Sequence, residues 1–307
     1  MKLMAQTRGE MARAAAVGIS LFWIGCVGAQ ELEPGAYSPS PAGVNIVVAG
    51  FTHNTGDLSF DPSGPITEAN ATINSTTVGY LRTLGIAGRL ANIGFGMPYA
   101  RGDIEGLVFG QPAAAHRSAW GDPRLRLAIN LAGVPAMTPK EYAAYRPSHV
   151  FGTSLTVSIP TGQYDSARLI NVGNNRWAFK PELGYARYMG KWSLEGAVGA
   201  WFYTDNTEFY GGKTKEQDPI GSFQFHVIYT FRPRMWLGFD ANYYTGGRTY
   251  LDGAASNDLQ KNSRMGLTFA MPISRVQSLK FSFSRGAVTN IGADFNSFGM
   301  SWQAVWW

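Results

Sequence analysis

The stretch Ser222–Phe231, SFQFHVIYTF, separates on every second residue into Phe223, Phe225, Val227, Tyr229 and Phe231 on one side and Ser222, Gln224, His226, Ile228 and Thr230 on the other. A period of two is that of a β-strand. A soluble sandwich would turn the apolar set into its core, whereas a membrane barrel would turn it toward lipid. The rest of the chain has to decide between them.

Only 15% of the 307 residues are charged and 45% are hydrophobic, yet beyond the N-terminus there is no run of about 20 apolar residues able to span as a helix. A helical membrane protein is excluded. Glycine (37 residues) and aromatics (13%) are abundant, which suits many curved strands separated by turns. Residues 1–29 read as an export signal: Lys2, Arg8 and Arg13 supply positive charge, Ala14 to Val27 is apolar, and Val27-Gly28-Ala29 offers a cleavage site after Ala29. Cys26 is a poor candidate for lipidation because Trp23 stands three places upstream. It is also the only cysteine, so the exported chain carries no disulfide. A closed hydrogen-bonded ladder in lipid supplies the stability instead. Loss of three basic residues and one acidic residue with the signal lowers the formal charge from +5 to +3, which leaves no nucleic-acid footprint.

Strand-period segments recur over 43–52, 73–83, 87–99, 121–133, 148–160, 177–188, 191–203, 219–231, 235–246, 263–272, 277–288 and 295–306. Met189-Gly190, Arg232-Pro233-Arg234 and Ser274-Arg275-Val276 are tight connections, whereas 53–72, 100–120, 161–176, 204–218 and 247–262 are long and polar. Such alternation matches the short periplasmic turns and long extracellular loops of outer-membrane barrels. One long connection, 134–147, falls on the short-turn side and is expected to hold a short helix. Residues 30–42 form a short periplasmic N-terminal segment, and the barrel occupies 43–307.

The alternation repeats elsewhere. Leu125, Leu127, Ile129 and Leu131 oppose Arg124, Arg126, Ala128 and Asn130; Met265, Leu267, Phe269 and Met271 oppose Arg264, Gly266, Thr268 and Ala270. Aromatics crowd the strand ends at Trp177, Tyr188, Trp192, Phe202, Tyr203, Trp236, Tyr243, Tyr244, Trp306 and Trp307, as in the girdles at the two membrane interfaces. The terminal SFGMSWQAVWW resembles the C-terminal strand by which the assembly machinery recognises bacterial barrels. The fold expected is therefore an all-β, antiparallel up-and-down transmembrane barrel of about twelve strands, in the outer membrane of a Gram-negative bacterium. A secreted β-sandwich is the rival.

With lipid outside, the same parity places Arg124, Arg126, Lys180, Glu182, Glu195, His226, Asp240, Arg264 and Lys280 on the lumen. Glu182, His226 and Asp240 fall near mid-strand and so near one depth. Two readings stay open. These residues form a polar constriction that selects solutes, or they form a network that fills the interior, since small barrels are packed by side chains, only those of about 16–18 strands reliably leave a wide channel, and about twelve lies between. Catalysis is not expected. His53, His116, His149 and His226 are scattered without a zinc spacing, no Gly-x-Ser-x-Gly elbow exists, and His116 near Ser118 and Asp122 reads as solvated loop surface. No cofactor or metal is implied.

The segment SIPTGQYDSARLINVGNNRWAFKPELGYARY is similar to the hallmark of a family named after the meta-pathway of phenol degradation. Pro160, Thr161, Gly162 and Tyr164 carry the resemblance, followed by Asn171, Gly173, Asn175, Arg176 and Trp177, then Phe179 to Glu182 and Gly184. Gly121-Asp122-Pro123, Pro135-Ala136, Gln217-Asp218 and Gly246-Gly247 also fit, so the likeness extends over roughly 75–300. It implies an outer-membrane transporter that helps small hydrophobic or aromatic compounds cross the membrane. A closed barrel working through its long loops is the alternative. Channels of this general type carry an N-terminal hatch, but 30–42 is too short for a large plug, so any gate is expected from a loop or from lumenal charges.

Overall fold

The computed structural model describes residues 32–59 and 66–307; the expected export signal, 1–29, lies outside the described residues. In chain order the elements are β1 (Asn45–Ser59), β2 (Ile66–Ile86), β3 (Arg89–Val108), β4 (Gln111–Trp120), β5 (Arg124–Ala132), α1 (Pro139–Ala144), β6 (His149–Ser158), β7 (Ala178–Met189), β8 (Trp192–Tyr203), β9 (Asn206–Phe209), β10 (Lys213–Gln217), β11 (Ile220–Arg232), β12 (Met235–Gly246), β13 (Thr249–Leu251), β14 (Ala254–Ala255), β15 (Gln260–Pro272), β16 (Gln277–Val288) and β17 (Gly292–Trp306).

All pairings are antiparallel. The ring runs β1, β2, β3, β4/β5, β6, β7, β8, β11, β12, β15, β16 and β17, and closes where Asn45 to Ser59 pair with Trp306 to Gly292. β4 and β5 form one stave in two pieces: β4 pairs with the upper part of β3, and β5 with the lower part. Pro123 has no ladder donor, which accounts for the break at Gly121-Asp122-Pro123. The result is a closed barrel of 12 staves, with no sheet edge left in the bilayer.

Side-chain exposure follows the two-residue period. Phe223 and Phe225 are each 48% exposed while Ser222, Gln224 and His226 between and beside them are buried. Leu125, Leu127, Met265, Leu267 and Phe283 point outward in the same way. An exposed apolar band of this size, backed by a polar interior, is what a lipid-facing barrel requires. Replacing Phe225 by Arg should therefore impair insertion by about 2–4 kcal/mol, whereas Gln224→Arg, on the lumenal face, should still assemble. Folding into vesicles followed by heat-modifiable gel mobility checks the contrast; equal assembly of both would contradict the face assignment.

The aromatic girdle needs correction. Trp177, Trp192, Phe202, Tyr243, Trp306 and Trp307 face outward, but Trp236 and Tyr244 are buried inside, and Tyr188 and Tyr203 are partly buried against inner clusters. Consecutive residues of a strand point to opposite faces, so Tyr243 and Tyr244 cannot both meet lipid. The expected loops at 53–72 and 100–120 are also largely strand, because β1 to β4 continue past the other staves. Both stretches keep the antiparallel ladder without a lipid face, with Asn70, Ala71 and Thr72 pairing with Glu105, Ile104 and Asp103. Parts of 204–218 and 247–262 form a four-stranded sheet, β14-β13-β10-β9, at the long-loop end.

The 133–148 connection does hold a helix. Thr138 caps α1 by accepting from Glu141 N, the Glu141 carboxylate accepts from Thr138 N at 2.7 Å, and Pro139 occupies the first turn. These bonds from Thr138 hold the exposed Glu141 carboxyl below its ordinary pKa. α1 closes the short-turn end with Tyr142, which is buried among Leu90, Val134, Met137, Val150 and Ala186.

Candidate functional site

The N-terminal segment Leu32–Val44 does not hang at the periplasmic rim. Its described residues run up into the bore. Pro34 and Pro39 are fully buried, and Glu33, Ala36, Tyr37 and Ser40 are nearly so. Gly43 N donates to Thr83 O (2.9 Å), Ala42 N to Met137 O (2.8 Å), and the Tyr142 hydroxyl to Pro39 O (3.1 Å). Higher up, a turn closes with Ser38 N donating to Gly35 O at 3.0 Å, and Gly35 takes the left-handed φ of 79° that the turn needs. Gly35 N then donates to Glu195 Oε2 (2.6 Å) and Glu33 N to Gln224 Oε1 (3.1 Å). A short segment thus reaches mid-barrel and corks it. Prolines 34, 39 and 41 restrict the segment before it docks, which lowers the entropy lost on ordering.

Tyr37 is the centre of this cork. Its hydroxyl donates to Glu182 Oε1 at 3.1 Å and lies 3.1 Å from Ser154 Oγ, and its ring sits 5.3 Å below the Arg126 guanidinium carbon. The floor beneath the ring is made of Gly152 on β6 and Gly184 on β7, which are register partners. A Cβ on Gly184 would lie 2.1 Å from the ring, and one on Gly152 2.4 Å. Any side chain at either position would expel the ring.

Around this point the wall residues form two networks. Glu182 accepts from Lys180 Nζ (2.8 Å) and Gln224 Nε2 (3.2 Å), with Arg126 Nη2 3.8 Å away and itself donating to Ser154 Oγ (3.1 Å). Gln224 reaches past β8 because Ala197 and Gly199 there are small. His226 pairs with Asp240, its register partner, at 2.7 Å, and Thr268 donates to Asp240 Oδ2 at 2.5 Å. Arg264 stands apart, donating to Phe295 O, Ser297 and Ser284. Lys280 is half-buried on β16, and Arg124 lies 5.6 Å from the Trp201 ring centroid. Glu182, His226 and Asp240 thus fall into two separate clusters.

Above the cork the bore is aromatic. Trp201 (3% exposed), Ile220, Tyr244 and Ala178 pack together with Tyr203 against them, and Lys180 Nζ is 5.9 Å from the Trp201 ring. These inward aromatics were missed from sequence, although the parity that assigns Glu195 inward assigns Trp201 and Tyr203 inward as well.

The family-like loop folds over the long-loop end, and Asp122 is its hub. Asp122 Oδ1 accepts from Gly162 N (2.9 Å), and Oδ2 from Asn174 N (2.8 Å) and Asn174 Nδ2 (2.9 Å). Gly173 N donates to Gln163 O (3.0 Å), and Gly173 packs directly on Gly162. Asn171 closes the loop on Asp165, Tyr164 donates to Glu208 O, and Asn175 donates to Asn206 Oδ1 at 3.0 Å. The Arg176 guanidinium donates to Gln217 Oε1 and lies 4.4 Å over the Tyr203 ring. Trp177 N is tied to Thr204 Oγ1 (3.0 Å), and its ring stacks outward on Phe179. Pro160 and Thr161 lead the chain out of β6 into this loop. Nearby, burial pushes the Lys215 ammonium down to about 8, with Arg176 acting the same way and Asp258 opposing. Asp122→Ala removes three bonds to one buried carboxylate, each worth about 1.5–3 kcal/mol. Protease cleavage within 161–176 should accelerate by at least about tenfold while the barrel stays folded; an unchanged cleavage rate would contradict the hub.

His116 lies on β4, not in a loop. Its partner is Asp103 at 2.6 Å, both exposed, and Ser118 bonds Tyr99 at 2.7 Å. Histidine and serine are thus each engaged elsewhere, and Asp122 serves the loop. Among the described residues no group of three or more His, Cys, Asp or Glu is placed to hold a metal.

These features define an outer-membrane-type β-barrel with a lipid-facing belt, an aromatic and charged bore and an internal cork. The chain belongs to the family described as "Putative MetA-pathway of phenol degradation", whose profile matches residues 49–307. Its fold is similar to that of an outer-membrane channel from Pseudomonas putida F1, at 21% identity over 90% of this chain and 100% of that one, with a TM-score of 0.78. The β domain of the Bordetella autotransporter BrkA is a more distant likeness, at 11% identity over 86% of this chain and 100% of that domain, with a TM-score of 0.50. No curated protein sequence matches the chain.

Proposed function

We propose that the protein is a passive outer-membrane channel for small hydrophobic or aromatic molecules, seen here in its closed state. The observation that carries this reading is that the bore is stopped by a short N-terminal segment docked inside it rather than by the side chains of the strands alone. The lumenal ion pairs join residues of one strand or of nearby strands, as in Lys180–Glu182 and His226–Asp240, and so run along the wall. A barrel built to be solid would be filled by its own strands' side chains. Here a water-sized space remains beside the cork, lined by Glu33, Tyr37, Glu182, Glu195, Gln224 and His226.

In this reading Arg124, Arg126, Lys180, Glu182, Glu195, His226, Asp240, Arg264 and Lys280 line the solute path, with Trp201, Tyr203 and Tyr244 offering flat surfaces to an aromatic solute. The family to which the chain belongs, and the P. putida channel with its fold, support the same direction. Export through a cleavable signal, insertion by way of the C-terminal strand and residence in outer-membrane lipid belong to the same proposal.

Planar-bilayer recording tests it. Refolded protein should show rare current steps whose amplitude an aromatic solute lodged in the bore reduces, even where it makes the steps more frequent. Silence from folded protein, even with the cork weakened, would favour a closed barrel working through its loops.

A further inference from the structure

The group that corks the bore is itself a para-substituted phenol. The Tyr37 ring lies on a floor of two glycines, with Arg126 5.3 Å from its centroid, and its hydroxyl meets both Ser154 and Glu182. Four groups fall into one chain of donors: Arg126 Nη2 donates to Ser154 Oγ, which lies 3.1 Å from the Tyr37 oxygen, and the Tyr37 hydroxyl donates to Glu182. A phenolic oxygen both donates and accepts there, which neither a hydrocarbon nor an ether can do.

We infer that the Gly152–Gly184 floor with Ser154, Glu182 and Arg126 is a binding site for a free phenol, and that Tyr37 fills it as a tethered stand-in which the solute displaces. The inference rests on the reading of the bore as a solute path and narrows its solute to molecules bearing a phenolic hydroxyl. It also supplies a means of opening. A phenol that binds only where Tyr37 has left shifts the population toward the uncorked state by mass action. The aromatic bore above, Trp201 with Tyr203 and Tyr244, delivers a ring to the seat, and Glu182 and Ser154 reject one without a hydroxyl because they would be left buried without that partner.

The test is equilibrium binding of 4-fluorophenol and of fluorobenzene, read by fluorine NMR on folded barrels in detergent. Tyr37→Ala should bind 4-fluorophenol about tenfold or more tightly than wild type does, because no cork must be displaced, and about tenfold more tightly than it binds fluorobenzene. Adding Gly184→Val, which fills the floor, should abolish the gain. If Tyr37→Ala does not fold, Tyr37→Phe keeps the packed ring and loses only the hydroxyl bonds; 4-fluorophenol should then compete with it several-fold better than with wild type. Equal binding of the two probes, equal binding by wild type and variant, or indifference to Gly184→Val would each overturn the phenol seat. Binding is read without current, so a silent bilayer counts against the channel alone, and unselective binding against the seat alone.

Discussion

Tyr37→Ala should convert the barrel from a mostly closed to a frequently conducting state. The hydroxyl bond to the Glu182 carboxylate contributes about 1.5–3 kcal/mol, the guanidinium over the ring about 0.5–2 kcal/mol, and burial of the ring adds about 1.5–3 kcal/mol. Even if half of that total is offset by the entropy of ordering the segment, about 3 kcal/mol is lost, which corresponds to about a 100-fold rise in the open population. Single-channel recording reads this as open probability. Tyr37→Phe should give a smaller rise, about tenfold. Unchanged closure in Tyr37→Ala would mean that the bore is stopped elsewhere.

Glu182→Leu should have the largest effect on stability. This carboxylate accepts from Lys180, Tyr37 and Gln224 and faces Arg126, and both cations are at most 3% exposed. Removing the shared anion takes from the buried Lys180 its 2.8 Å carboxylate and leaves Arg126 with Glu33 as its nearby carboxylate, a change that costs about 3–5 kcal/mol. Urea titration of the barrel refolded in vesicles measures it. Adding Lys180→Met should recover part of the loss, because the second change removes one of the two charges. A loss below about 1 kcal/mol would indicate that water already solvates the site.

The staves were legible because lipid enforces the two-residue period: Phe223 and Phe225 have to be large and apolar, and the lumen forbids the same of Gln224. Where that pressure ends, legibility ends with it. β2 and β3 continue into ITEANAT and ARGDIEGLV, whose outward faces meet no lipid, so these stretches read as loop. The inward aromatics were hidden by a competing rule, since Tyr188, Tyr203, Trp236 and Tyr244 stand at strand ends where girdles are expected, and only strict parity turns them inward. The cork was hardest to see. EPGAYSPSP has three prolines and no period, the signature of a linker. Its signal lay far away, in Gly152 and Gly184, which leave a gap on the lumenal wall only once β6 and β7 are paired. The motif residues Gly162, Gly173 and Asn171 were identifiable as a set, but Asp122 became their anchor only after the loop closed on it.

Whether the N-terminal segment is what closes the bore can be measured directly. Cys26 is the only cysteine and lies in the expected export signal, so a barrel carrying Ala197→Cys presents one thiol, beside the cork. Its rate of modification by a charged, membrane-impermeant thiosulfonate reagent is the measurement to make. With Tyr37 in place the thiol should react slowly, and in the Tyr37→Ala background about 100-fold faster, matching the rise in open population. The same slow rate in both barrels would contradict a gate formed by the segment, and a fast rate in both would contradict a closed state altogether.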